Sequence, residues 1–223
     1  MGRMRDRSIN LTFHGIGEAP PHLAEGEREV WVSREQFLSV LDSAVGRDDL
    51  RITFDDGNAS DVEHALPALR ERGLRATFFV VAGRLGKPGY LAASDVRALA
   101  DAGMGIGSHG MRHVPWRGLD DAALRDELVD AKLLLEEVVE RPVAEAACPF
   151  GSYDRRVLGM LRRSGYVAVY TSDRGASHPG DWIQPRNTIH HSDTGSVLAE
   201  IYRAKPRSRS AVQHAKRIVK RWR

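Results

Sequence analysis

The chain holds a single cysteine, Cys148, among its 223 residues. An internal disulfide is therefore excluded, and so is a metal cage built from a cysteine cluster. No apolar stretch approaches the roughly 20 residues that a membrane-crossing helix requires. Internal repeats and low-complexity segments are also missing, which excludes solenoids and biased, disordered tethers. The opening Met1-Gly2-Arg3-Met4-Arg5-Asp6-Arg7 is basic, but the apolar run behind it is interrupted by Asn10, Thr12 and His14 and is too short for a signal-peptide core. A cytoplasmic protein is expected, with peripheral attachment to the inner membrane face as an option. Acidic residues are wholly missing from Arg203 to Arg223, which carries nine Lys or Arg; the preceding 202 residues hold 24 basic against 30 acidic, so a body of −6 lies beneath the net +3. That mildly acidic body, without a recognition fold, argues against a nucleic-acid partner.

What is present is a regular alternation of strand and helix patterns. Apolar runs predict strands at 8–13, 50–54, 76–81, 104–108, 143–147, 166–170 and 183–189. The third run, Ala76-Thr77-Phe78-Phe79-Val80-Val81, is apolar on both faces, as in a parallel strand covered on both sides. Ser33-Arg34-Glu35-Gln36 and Ser60-Asp61-Val62-Glu63 read as capping boxes, the first opening a helix to about 45 and the second a helix that Gly73 stops. Further helices are expected at 94–102, 121–139, 154–163 and 194–202. The pattern predicts one α/β domain over 1–205, a parallel (β/α)7-type barrel, closed or nearly so. A basic amphipathic tail follows at 206–223. In it Ala211, Ala215, Ile218, Val219 and Trp222 fall at helical spacing among Lys216, Arg217, Lys220, Arg221 and Arg223. Such a helix suits an anionic membrane surface, and equally suits packing on the barrel.

Parallel barrels carry their chemistry at the C-terminal ends of the strands. His14, Asp55, Asp56, His109, the segment Pro149-Phe150-Gly151, Ser172, Asp173 and Arg186 all fall at or near such ends. The second strand closes in two adjacent carboxylates, Ile52-Thr53-Phe54-Asp55-Asp56-Gly57, and the fourth leads into Ser108-His109-Gly110-Met111-Arg112-His113. Asp-Gly after an apolar run is ordinarily a hairpin signal, but here a helix pattern follows rather than a returning strand. Two imidazoles and one carboxylate leave a coordination position open on a zinc-like cation, while a neighbouring carboxylate remains free to accept a proton from water.

These blocks resemble the polysaccharide deacetylases of the NodB-homology type, carbohydrate esterase family four. The resemblance rests on Thr53-Phe54-Asp55-Asp56-Gly57, on Pro67-Ala68-Leu69 with Ala76-Thr77-Phe78-Phe79-Val80, on Ser108-His109 with His113, and on Cys148-Pro149-Phe150-Gly151-Ser152-Tyr153. It spans about 8–202 and implies a distorted seven-stranded β/α barrel that removes acetyl groups from N-acetylated sugars. It further implies Asp55 as general base, Asp56, His109 and His113 as ligands of a divalent metal, and a backbone N–H near Phe150 as oxyanion donor. Zinc is the first expectation for the metal, with cobalt, nickel or manganese as alternatives.

Three departures stand out. A late Leu-x-x-His block for the catalytic acid is not evident; Thr12-Phe13-His14-Gly15 instead resembles the first-strand block of the subgroup that trims exopolysaccharide adhesins, which implies His14 as acid, with His190 and His191 in reserve. The arginine that often precedes Pro-aromatic-Gly is replaced by Ala147 and Cys148, and Arg186 is the candidate to keep Asp55 ionised across the barrel mouth. Gly110 stands where a Ser or Thr usually steadies the ligand loop. Trp116, Tyr153 and Trp182 are the expected sugar contacts. The partner is thus an N-acetylated sugar in a polysaccharide, oligosaccharide or glycolipid intermediate. A deformylase or other linear-amide hydrolase, and a non-catalytic carbohydrate-binding barrel, are the alternatives.

Overall fold

The computed structural model describes residues 7–205 apart from 22 and 24. In chain order the elements are β1 (Ile9–Phe13), β2 (Gly15–Ile16), α1 (Glu25–Arg28), β3 (Trp31–Val32), α2 (Arg34–Ala44), β4 (Leu50–Asp56), α3 (Leu66–Glu71), β5 (Ala76–Val80) and α4 (Ala93–Asp101). They continue as β6 (Gly105–Ser108), α5 (Asp121–Arg125), α6 (Ala131–Val139), β7 (Glu145–Ala147), α7 (Arg155–Arg163), β8 (Ala168–Thr171), β9 (Ile183–Thr188) and α8 (Gly195–Tyr202). Strands β1, β4, β5, β6, β7, β8 and β9 form a closed barrel, with every neighbouring pair parallel and β9 returning to β1. The expected seven-stranded barrel is the observed one. β2 and β3 form a separate two-stranded ribbon beside it.

The register explains both faces of the barrel wall. Phe13, Phe54 and Phe78 are partners across β1, β4 and β5. Their rings stack at 5.5 and 4.6 Å, and Phe37 of α2 meets Phe13 edge-on at 5.1 Å, so these side chains point out into the helix layer. One residue earlier the alternation reverses, and Thr12 and Thr53 join their hydroxyls at 2.9 Å. Asp55 and Arg186 belong to this inward set, and the Arg186 guanidinium lies over the adjoining rings of Phe79 and Tyr170, 5.3 and 5.9 Å from their centroids. The barrel interior is therefore partly polar.

Two helices depart from expectation, both close to the site. Ser33 caps α2 by accepting from the Gln36 N–H at 3.1 Å, but Ser60 makes no cap, and a π-helical turn, Asp61–Ala65, precedes α3. Its hydroxyl instead accepts from the Ile16 N–H at 3.3 Å, tying the ribbon to the segment after β4. The expected single helix over 121–139 is split by a second π-helical turn, Asp126–Asp130. Among the described residues no helix is long and apolar enough to cross a membrane. The basic tail at 206–223 lies outside the described residues.

Candidate active site

β4 delivers Asp55 and Asp56 to the barrel mouth, and its termination sends the two carboxylates different ways. Asp55 stays with the inward set and is buried. Asp56 takes a left-handed backbone, φ 77°, at the turn into Gly57. His113 is likewise left-handed, φ 57°, so two of the three expected ligands stand in a conformation that side chains rarely adopt and that the surrounding structure must impose.

The Asp56 Oδ1 lies 3.1 Å from His113 Nε2 and 3.6 Å from His109 Nε2, and the three ligand atoms fall within 4.8 Å of one another. This oxygen is buried and has no hydrogen-bond partner, which is costly unless a cation supplies what a donor does not. The His109 Nδ1–H donates to the Ala147 carbonyl at 2.9 Å, which leaves the Nε2 lone pair facing Asp56, the second-sphere arrangement usual for a ligating histidine. Burial, opposed mainly by Asp56, holds the His113 ring down to about 4, and burial also lowers His109. Both rings are thus neutral near pH 7, and the donor set suits a zinc-like divalent cation.

Asp55 is held apart from that set. Arg186 donates to it from Nη1 at 2.5 Å and from Nη2 at 2.6 Å, a bidentate pair that is buried on both sides. Burial by itself would push this carboxyl up, but Arg186 foremost, then His109, hold it far below the usual carboxylate range. His14 Nε2 lies 4.0 Å from Asp55 Oδ2, and the His14 carbonyl accepts from Asn58 Nδ2 at 3.1 Å. His190 and His191 do not line the cavity; His190 lies against Asp193, and His191 is exposed beside the Glu29 carbonyl.

A residue that the sequence reading missed steadies the ligand loop. Glu127, fully buried in the second π-helical turn, accepts from the N–H groups of Met111 at 2.8 Å and Arg112 at 3.1 Å. On the other side, Ala82 and Gly83 donate to the carbonyls of Gly110 and Met111 at 2.9 and 3.0 Å. A Cβ at Gly110 would stand 2.3 Å from the Glu127 carboxylate, at φ 81°, so a Ser or Thr has no room there. The carboxylate does the steadying instead. The usable signal was weak: an acidic residue facing inward from an otherwise ordinary amphipathic helix.

A cavity of about 580 Å³ opens over these groups, lined by His14, Asp55, Asp56, His109 and His113. Its aromatic walls are Trp31, Tyr90 and Phe150. Phe150 is 63% exposed, with its ring 4.6 Å from His113. Three expected sugar contacts need correction. Trp116 is fully buried, with its Nε1–H directed at Glu127. Tyr153 is buried and donates to Asp173 at 2.7 Å. Trp182 donates to the Tyr166 carbonyl and lies under Arg162. Not one of the three lines the cavity, because each packs a loop onto the barrel. Trp31 reaches it because Gly15, lacking a Cβ, admits the indole: an added Cβ would lie 2.1 Å from the ring.

The polysaccharide deacetylase family model matches residues 42–169, more than half of the chain. The chain belongs to the polysaccharide deacetylase family. Within this family, the curated protein YxkH of Bacillus subtilis (strain 168) is 29% identical over 126 residues, 56% of this chain and 45% of that one. The chain therefore spans under half the length of that relative. Similar solved folds include BC0361, a polysaccharide deacetylase from Bacillus cereus, with TM-score 0.77, 21% identity, and 87% of this chain and 68% of that one covered. The Streptococcus pyogenes deacetylase PplD in complex with acetate gives 0.74 at 18% identity, over 90% and 99% of the two chains. IcaB from Ammonifex degensii gives 0.73 at 22% identity, over 89% and 98%. At these identities the solved structures establish a shared fold.

Proposed function

We propose that this polysaccharide deacetylase family member is a metal-dependent hydrolase that removes the N-acetyl group from an N-acetylated sugar in a polysaccharide, oligosaccharide or glycolipid intermediate. The observation that carries the reading is the division of labour at the end of β4: Asp56 Oδ1 faces two imidazole Nε2 atoms without a donor, while Asp55 is held separately by Arg186. Asp56, His109 and His113 would hold the metal, zinc before cobalt, nickel or manganese. A bound divalent cation supplies Lewis acidity to the amide carbonyl and lowers the pKa of water.

The remaining work falls to the chain's own groups. Asp55 accepts the proton of the attacking water, and Arg186 keeps that carboxylate charged and aimed despite its burial. The Phe150 backbone N–H serves the developing oxyanion. The C–N bond then breaks, and His14, which lines the cavity with its Nε2 4.0 Å from Asp55 Oδ2, protonates the departing amine, since an amide anion is too poor a leaving group. The products are acetate and the free amino sugar.

Hydrolysis of N-acetylated chitooligosaccharide by wild type and Asp55→Asn, with metal content measured on both, tests the assignment. The variant is expected to retain metal and to lose turnover by about a hundredfold or more. Full activity in it removes Asp55 from the mechanism, and binding of sugar by wild type without any hydrolysis indicates a carbohydrate-binding barrel. Release of formate in place of acetate from matched substrates identifies a deformylase.

A further inference from the structure

We propose that Arg84 is an anion-recognition residue of the cavity, which selects N-acylated sugars carrying a carboxylate or phosphate near the acyl group. The choice of reaction rests on the deacetylase reading; the recognition does not. Arg84 projects from the turn after β5 and lines the cavity with Tyr90. Its Nη2 lies 3.3 Å from His113 Nδ1 and its Nη1 3.9 Å from Asp56 Oδ1. Its guanidinium carbon sits 4.8 Å over the Tyr90 ring. That contact with His113 is the one side-chain hydrogen bond recorded for its five N–H donors among the described residues. Other partly or fully buried arginines here are matched closely: Arg186 to Asp55, Arg7 and Arg47 to Asp49, Arg72 to Asp42.

Even the one hydrogen bond of Arg84 is incompatible with a loaded metal site. An imidazole that gives its Nε2 lone pair to a cation carries its hydrogen on Nδ1, and two N–H groups cannot bond to each other. The Asp56 oxygen is committed to the same cation. The guanidinium then keeps only the face of Tyr90, and a ring beneath it leaves the in-plane donors free. Those donors form the fork that binds a carboxylate or phosphate in a bidentate fashion. Charge points the same way. With Asp55 neutralised by Arg186, the remaining Asp, Glu, Lys or Arg side chains lining the cavity are Asp56, Glu27 and Arg84, so a divalent cation leaves a surplus of one positive charge.

The test uses metal-loaded wild type and Arg84→Gln with three sugars: neutral N,N′-diacetylchitobiose, N-acetylglucosamine 1-phosphate, and N-acetylglucosamine linked to a glucuronate. Wild type is expected to favour at least one anionic sugar in kcat/KM by about tenfold or more, with the variant losing that preference mainly through KM. The sugar favoured identifies phosphate or carboxylate as the source of the anion. A wild type without preference overturns the proposal, and so does a variant that slows all three sugars by one common factor or loses its metal. If wild type hydrolyses none of them, the deacetylase reading fails while the inference is decided by equilibrium binding of the same sugars. Tighter anionic binding that Arg84→Gln abolishes sustains it, and equal binding refutes it.

Discussion

At the scale of single residues, the pair formed by Arg186 and Asp55 sets the chemistry of the site. A carboxylate this deeply buried would ordinarily be pushed toward protonation, and the guanidinium reverses that. Removing the guanidinium takes away the largest opposition to burial, so the Asp55 pKa must rise. Arg186→Met is therefore expected to move the acid limb of kcat/KM upward by about one pH unit or more. An unmoved limb in the pH–rate profile would separate Arg186 from Asp55. The same change leaves a buried charge without its partner, which costs about 3–5 kcal/mol in denaturant unfolding at pH 7.

At the scale of elements, two π-helical turns do what regular helices cannot. The turn Asp126–Asp130 widens the helix between α5 and α6 where Glu127 meets the ligand loop, and a turn of this kind is frequent beside functional sites. Glu127→Gln keeps the volume but weakens acceptance from two backbone N–H groups. Metal affinity is expected to fall about 10- to 100-fold, measured by competition with a chelator, while the barrel stays folded by circular dichroism. Gly110→Ala meets the same carboxylate sterically and at positive φ, and should cost roughly 1–3 kcal/mol of stability. An alanine variant as stable as wild type would show that the loop has slack.

For the whole molecule, the ligands arrive from β4 and from the loop after β6, so a cation that binds them stabilises the closed barrel against unfolding. Metal at a hundred times its Kd should add about 2.7 kcal/mol, and His113→Ala should abolish the increment. In chelator-treated protein, protons act in the opposite sense. The His113 pKa is lowered from 6.5 to about 4 on folding, so between those values the unfolded chain takes the proton first. Stability then falls as pH drops through that window and His113 takes no further part below it, a loss of roughly 3 kcal/mol from this ring. Equal unfolding midpoints at pH 7 and 4.5 would contradict the burial argument.

The barrel was legible because each strand is a short apolar run bounded by a helix pattern, and these are local signals of period 2 and 3.6. Asp55, Asp56, His109 and His113 were legible for a related reason, since strand ends in a parallel barrel converge whatever the details of packing. The aromatic contacts were not. Sequence distance placed Trp116 beside His113, but its indole meets Glu127 in the core, and Trp31 gains the cavity only because a glycine across the ribbon makes space. The same holds for Ser60, whose hydroxyl serves Ile16 instead of a helix end, and for the π-helical turns, which depend on what lies opposite them. The amino-acid order by itself determined the fold class and which carboxylates and imidazoles stand at the mouth, because burial patterns and strand termini are properties of neighbours in the chain. Only the tertiary structure decided that Arg186 from the last strand holds Asp55 on the second barrel strand, because a contact across 131 positions depends on closure of the barrel.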